Sequence, residues 1–320
     1  MTSKNSESKP KLPRLSRVPE AELPGFTMTP RDVEILQTIY QYRAVTTPQI
    51  NALFFQDAPE WGASQVSSRC LNRLKLLFQH RYIYRAERPQ TVSEGRKPLV
   101  YWLDERGAQY LADLEKHSIY DMDWSLQERS VKWPFLEHLL LTNDVRTVLT
   151  VAARTKDFTL PIWHDERTLK RNHAKDKVRI KTTQGHSAEV SVIPDAYFLL
   201  DTTTKVEDGY KYHCFIEMDR GTETAAASTD RCDWTRKIQA YLEYYRSGKY
   251  HQRYHVTSSM RVLTVTTTPR RLQTLKEATE KAGGVKRFWF TTIDKITPDT
   301  ILETPIWQVA GTDREYSLIW

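Results

Sequence analysis

Two apolar runs in the second half of the chain carry acids where a buried strand should have none. They are "IPDAYFLL", 193–200, and "CFIEMDRGTE", 214–223. A carboxylate leaves water only if a cation, a hydrogen-bond network or a metal compensates it. Any fold for this chain must therefore hold Asp195, Glu217 and Asp219 at or inside core strands and supply that compensation. Residues two apart in a strand point to one side, so Glu217 and Asp219 project together. Asp195 follows Pro194, which marks a bend or an edge position. Pairing of the two strands would make the three acids converge. Three anions at one place repel and call for a cation. Mg2+ suits oxygen ligands and keeps water positions open, and a metal so held can activate water and stabilise a phosphoryl transition state. The other form of compensation is a buried salt-bridge network built from protein cations.

The same half alternates between helical and strand periods. Helices are expected at 135–154, 233–248 and 269–284, the last ending at Gly283 and Gly284. Strands are expected near 158–163, around the turn in 176–201, at 210–219, at 260–268 and at 287–296. That order predicts an α/β arrangement with a central mixed sheet and helices on its faces. His138 reads as a core histidine. His164, Asp165 and Glu166 precede a helix, where acids favour the N-terminus. Only Glu166 among them is a candidate to join the acidic cluster.

The first half has a different rhythm. Helices are predicted at 29–42, 45–55 and 63–83, the first two opened by Thr and Pro. "YIYRAERPQ" then reads as a strand, "TVSEGRK" as a basic turn, "PLVYWL" as a returning strand and "DERGAQYLADLE" as a helix. Three helices, a strand, a basic hairpin, a strand and a helix is the order of a winged helix-turn-helix. The pattern "LNRLKLLFQHRYIYR…KPLVYWLDERGAQYL" resembles bacterial winged-helix regulators. Residues 61–100 hold eight Arg and Lys against Glu87 and Glu94, in a chain whose net charge is +7. Positive charge concentrated on two neighbouring elements points to a polyanion, most simply duplex DNA. The third helix offers Ser64, Gln65, Ser67, Ser68, Arg69, Asn72 and Arg73 for base edges and phosphates. Arg88, Arg96 and Lys97 on the wing would reach adjacent phosphates. The competing expectation is a winged helix that binds protein and has a merely solvated basic face.

Cys70, Cys214 and Cys232 are odd in number and widely spaced, which argues for a reducing, cytoplasmic compartment and against structural zinc. No apolar run approaches the roughly 18–20 residues that span a bilayer. No P-loop, GxSxG or HExxH pattern occurs, so only Mg2+ is expected among cofactors. No HUH pattern supports a tyrosine relaxase.

"PDAYFLL…FIEMDRGTE…TRKIQAYLEYY" resembles the replication-relaxation family of bacterial plasmids and mobile elements. The resemblance covers roughly residues 30–250, with "EHLLLTNDVR" and "WHDERTL" as weaker support. It implies an N-terminal helix-turn-helix, a core similar to the PD-(D/E)xK nuclease fold, binding to double-stranded DNA, and involvement in plasmid replication or DNA relaxation. Asp195 matches the Asp of the nuclease "PD" motif and Glu217 its second acid. Asp219 stands where that motif has lysine. Some nucleases of that fold supply the lysine from the following helix, where a Gln and a Tyr four apart contact DNA. Lys237 and Tyr241 occupy those places. Catalytic Asp195, Glu217, Asp219 and Lys237, and DNA contacts by Arg220 and Tyr241 beside the Gly221 loop, follow from this alignment. The alternative is that Arg220 or Lys237 replaces the metal as counter-ion and the fold serves as a scaffold.

The expected class is α+β. A basic disordered arm spans 1–28, a winged helix-turn-helix 29–115, a connector 116–134 and a nuclease-like α/β domain 135–320. The function expected is DNA binding in replication, relaxation or their regulation, or else Mg2+-dependent endonuclease or nickase action guided by the winged helix. The Tyr- and Trp-rich segments leave room for a homodimer, and a replication, transposition or defence complex would supply protein partners.

Overall fold

Threonine and proline fix where the first helices begin. Helix α1 (Pro30–Tyr42) starts after Thr29, whose hydroxyl accepts from the Asp32 amide while the Asp32 carboxylate accepts from the Thr29 amide. Helix α2 (Thr47–Phe54) repeats the device with Thr46 and Gln49, and both helices carry Pro in the first turn. The computed structural model describes residues 14–55, 66–89, 97–171, 176–181, 186–203, 209–221 and 234–319. The chain divides into two compact units, 1–143 and 144–320.

In the first unit, helix α3 (Ser68–Gln79) begins after Ser67 and turns Cys70, Leu74, Leu77 and Phe78 inward. Ile35, Leu36 and Ile39 of α1 and Ile50 and Leu53 of α2 are buried in the same unit. Strands β1 (Val45–Thr46), β2 (Ile83–Ala86) and β3 (Val100–Leu103) form an antiparallel sheet in the order β1-β3-β2. Helix α4 (Glu105–Glu115) follows directly, capped by Asp104. Gly107 has a physical reason here: a Cβ at this position would sit 2.1 Å from the Tyr82 carbonyl oxygen. The close passage of α4 over the start of β2 requires its absence.

Residues 14–28 are not the disordered arm expected from their composition. The Arg17 guanidinium donates to the Phe78 and Ile83 carbonyls at 3.0 Å each and pairs with Asp104 at 2.5 Å. Phe26 stacks on His80 with ring centroids 4.7 Å apart. The segment is a strap over the end of α3 and the start of β2. The connector is held as well: Arg43 pairs with Asp123 at 2.5 Å and Glu128 at 3.2 Å. The boundary between the units falls inside helix α5 (Trp133–Thr155) rather than before it.

The second unit is built on a seven-stranded mixed sheet. Its strands are β4 (Thr159–Asp165), β7 (Ala196–Asp201), β8 (Lys211–Met218), β9 (Met260–Thr266), β10 (Phe288–Thr292), β11 (Trp307–Val309) and β12 (Glu315–Tyr316). The order is β12-β11-β10-β9-β8-β7-β4, with β8, β9 and β10 parallel and the outer pairs antiparallel. Strands β5 (Lys177–Lys181) and β6 (Ser187–Ser191) form a separate hairpin. Helix α6 (Glu166–Arg171) follows β4. Helices α7 (Trp234–Arg246), α8 (Lys249–Tyr254) and α9 (Pro269–Lys281) complete the unit. One face of the sheet packs Tyr197, Phe215, Val262 and Phe290 against Ile238, Tyr241 and Tyr244 of α7 and Leu272 and Leu275 of α9. The protein is thus of mixed α+β class. Among the described residues no helix is long and apolar enough to cross a membrane.

Candidate functional site

Strand register decides how the acids meet. Ala196 pairs with Ile216, so the residue before β7 lies across from Glu217 on β8. The Asp195 amide donates to the Ile216 carbonyl at 3.0 Å, and its carboxylate accepts from the Met218 amide at 2.7 Å. Strand β7 has neighbours on both sides, so Pro194 stands two residues ahead of an internal strand and not at an edge. The missing amide is tolerated because the ladder begins beyond it.

Glu217 is 2% exposed. Lys237 and Tyr241, four apart on α7, share a face and both reach it. The Lys237 ammonium donates to Oε2 at 2.8 Å and the Tyr241 hydroxyl to Oε1 at 2.5 Å. Burial pushes the Glu217 acid up to about 7; the Lys237 charge opposes this and the Asp195 charge adds to it. Burial and the Glu217 charge also push the Tyr241 phenol well above its ordinary range, so it stays a proton donor.

Asp219 projects from the same strand edge but is held by different groups. Arg271, in the first turn of α9, donates from Nε at 2.9 Å and from Nη2 at 2.8 Å. The Thr266 hydroxyl donates at 2.7 Å and the Gly221 amide at 3.2 Å. The structure therefore brings Asp195 and Glu217 together with Lys237 and Tyr241, and gives Asp219 a bidentate arginine of its own. Among the described residues no group of three His, Cys, Asp or Glu side chains is arranged to hold a metal ion. Arg220 is half-buried beside Asp219 in the chain. Glu166 pairs with Lys170 one turn on, at 2.6 Å, and Asp165 accepts from the Thr168 amide at 2.8 Å. Both do what acids do at a helix start.

Arg271 and Thr266 escaped the sequence reading. Their signal was "TVTTTPRR", where Thr268 caps α9 and Pro269 opens it. Arg271 must then stand in the first turn after β9, the parallel neighbour of β8.

In the first unit, Ser67 caps α3 by accepting from the Arg69 amide, and Ser68, Arg69 and Asn72 are exposed on its first turns. Arg73 is drawn back from that face. Its guanidinium is bound to both oxygens of Asp32, donates to the Thr27 carbonyl at 2.6 Å and lies over the Phe26 ring. Arg88 and Lys97, at the base of the β2–β3 hairpin, approach Glu137 at 3.6 and 3.8 Å. Arg96, Ser64 and Gln65 lie outside the described residues.

No curated protein and no solved structure matches the chain. The profile of one family, Replication-relaxation, matches residues 36–260 and so takes in strand β8, all of α7 with Lys237 and Tyr241, and all of α3. With more than half of its length covered, the chain belongs to the Replication-relaxation family.

Proposed function

We propose that the protein binds double-stranded DNA through its first unit and acts in plasmid replication, DNA relaxation or their regulation, its second unit serving as a nuclease-like scaffold. Family membership supports the replication-related role. The order α1-α2-α3-β2-β3-α4 around a small antiparallel sheet supports a winged helix-turn-helix. In that arrangement α3 enters the major groove and the β2–β3 hairpin is the wing. Exposed Ser68, Arg69 and Asn72 suit base edges and phosphates. Arg73 is left out of the contact set, because its charge is spent on buried Asp32.

The observation that carries the scaffold assignment is that protein groups compensate each acid. Lys237 and Tyr241 answer Glu217, Arg271 and Thr266 answer Asp219, and the Met218 amide bonds Asp195.

A Mg2+-dependent nuclease is the second reading, favoured by the meeting of Asp195, Glu217 and Lys237. Two carboxylates fall within what Mg2+ accepts, so Asp195 and Glu217 would hold the ion, which would activate water and offset charge at a phosphodiester. Lys237 would then hold the Glu217 carboxylate ionised, or turn to the phosphate, and Tyr241 would fix the orientation of Glu217.

Incubation of the protein with supercoiled plasmid and Mg2+ or Mn2+ separates the two. Unchanged plasmid at high protein concentration, with duplex binding retained, supports the scaffold. Nicking that disappears in Asp195→Ala and Glu217→Gln overturns it in favour of the nuclease.

A further inference from the structure

Strands β5 and β6 make a two-stranded ribbon whose faces are unlike, because side chains alternate along each strand. Val178 and Ile180 point inward and are buried in the cluster that holds Ile238, Tyr241 and Tyr244 of α7. The other face carries Lys177, Arg179 and Lys181 of β5, opposite Ser191, Glu189 and Ser187 of β6. Every outward position of β5 is thus a cation. Arg179 and Lys181 are exposed, and among the described residues neither makes a hydrogen bond or an ion pair. Glu189 is the one acid on the two strands. It turns to Lys177 at 3.1 Å, with both side chains well exposed. A pair so exposed is weak and yields to a better partner.

The base of the ribbon is fixed beside the acidic site. Asp176 accepts from the Tyr244 hydroxyl of α7 at 3.3 Å and pairs with Arg253 of α8 at 2.9 Å, and its carbonyl accepts from the Val192 amide at 3.1 Å. Ser191 ends β6 four residues before Asp195, a stretch of about 14 Å even at full extension. Outward residues of one strand stand about 6.8 Å apart, close to the step between successive phosphates of one DNA strand. A row of cations at that step, faced by two small serines, can take one phosphate each.

We infer that the outer face of the β5–β6 ribbon holds the sugar-phosphate backbone of duplex DNA, with Arg179 and Lys181 in direct contact and Lys177 joining them when it leaves Glu189. The second unit then has a DNA contact of its own, separate from α3 and from the β2–β3 wing. The inference rests on duplex DNA being the partner, as proposed above. Phosphate contacts fix position and carry no sequence information, so the ribbon should act alike on every duplex.

The test is fluorescence anisotropy of the full chain on three duplexes of unrelated sequence, each titrated with salt. Arg179→Gln with Lys181→Gln should weaken binding on the order of tenfold at low salt, equally for all three, and lower the salt slope by about 2. Glu189→Gln should tighten binding, because it frees Lys177 and removes the only anion of the face. These side chains are exposed, so thermal midpoints should stay at the wild-type value. Lys281→Gln with Lys286→Gln makes the same change of net charge at two other exposed positions and should leave the slope unaltered. A ribbon variant with wild-type affinity and slope, or with no greater loss than this control, overturns the inference; if Arg69→Ala still weakens binding, the DNA-binding reading survives it. A loss confined to one duplex sequence overturns it too, because it would mark a base contact. Wild-type affinity in Glu189→Gln removes Lys177 from the contact. Failure of the wild-type chain to bind any duplex removes both readings.

Discussion

Replacing Arg271 by Ala isolates the role of the third acid. The Asp219 side chain is 3% exposed and that of Arg271 is 17% exposed. Asp219 accepts two bonds from Arg271, one from the Thr266 hydroxyl and one from the Gly221 amide. Arg271→Ala removes both charge-assisted bonds and leaves a buried anion with two neutral donors. Breaking a buried pair from one side costs about 3–5 kcal/mol. The partial exposure of Arg271 admits some water, which favours the lower end, about 3 kcal/mol. Against a total stability of about 5–15 kcal/mol this is a large fraction. Urea unfolding followed by tryptophan fluorescence would report it, since Trp234, Trp289 and Trp307 are buried in the same unit. The double variant Asp219→Asn with Arg271→Met should recover more than half of the loss, because no charge is then stranded. A cost below about 1 kcal/mol for Arg271→Ala, the range of an exposed pair, would refute the reasoning.

Three other outcomes are expected. Glu217 has its acid pushed from the ordinary 4.5 up to about 7, so between those values the folded chain binds more protons than the unfolded one. Stability should then fall as pH rises across that window and level off above it, and Glu217→Gln should remove about one proton's worth of this slope in urea midpoints measured against pH. Gly107→Ala forces a Cβ onto the Tyr82 carbonyl and should cost on the order of 3 kcal/mol in a thermal or urea melt of the first unit. Arg73→Ala strands buried Asp32 and should lower the melting of the first unit by about 3 kcal/mol or more, whereas Arg69→Ala should weaken duplex binding with little change in melting.

Local patterns were legible in the sequence. Thr29, Pro30, Thr46 and Pro48 announced two helix starts, and the alternation in "MRVLTVTTT" announced β9. The apolar runs around Asp195 and Glu217 announced two paired strands, and the i, i+4 spacing of Lys237 and Tyr241 placed both on one helical face. Partners distant in the chain were not legible. Arg271 reaches Asp219 from 52 residues away, and Arg73 reaches Asp32 from 41. Which of several arginines answers a buried acid depends on which strands and helices become neighbours, and composition does not carry that. The strap at residues 14–28 failed for a related reason: its polar, basic make-up reads as solvated chain until Arg17 finds carbonyls at the end of α3 and the start of β2. Charge density likewise gave no sign that the Arg73 side chain turns inward to Asp32.

The central claim is that the first unit holds duplex DNA by the exposed start of α3. Its most direct measurement is the equilibrium affinity of the full chain for duplex DNA between about 50 and 200 mM salt, with Arg69→Ala and Asn72→Ala alongside. The expected result is a linear fall of log affinity with log salt in the wild type, and weaker binding with unaltered melting in both variants. Wild-type affinity that ignores salt, or variants that bind as the wild type does, would contradict the claim.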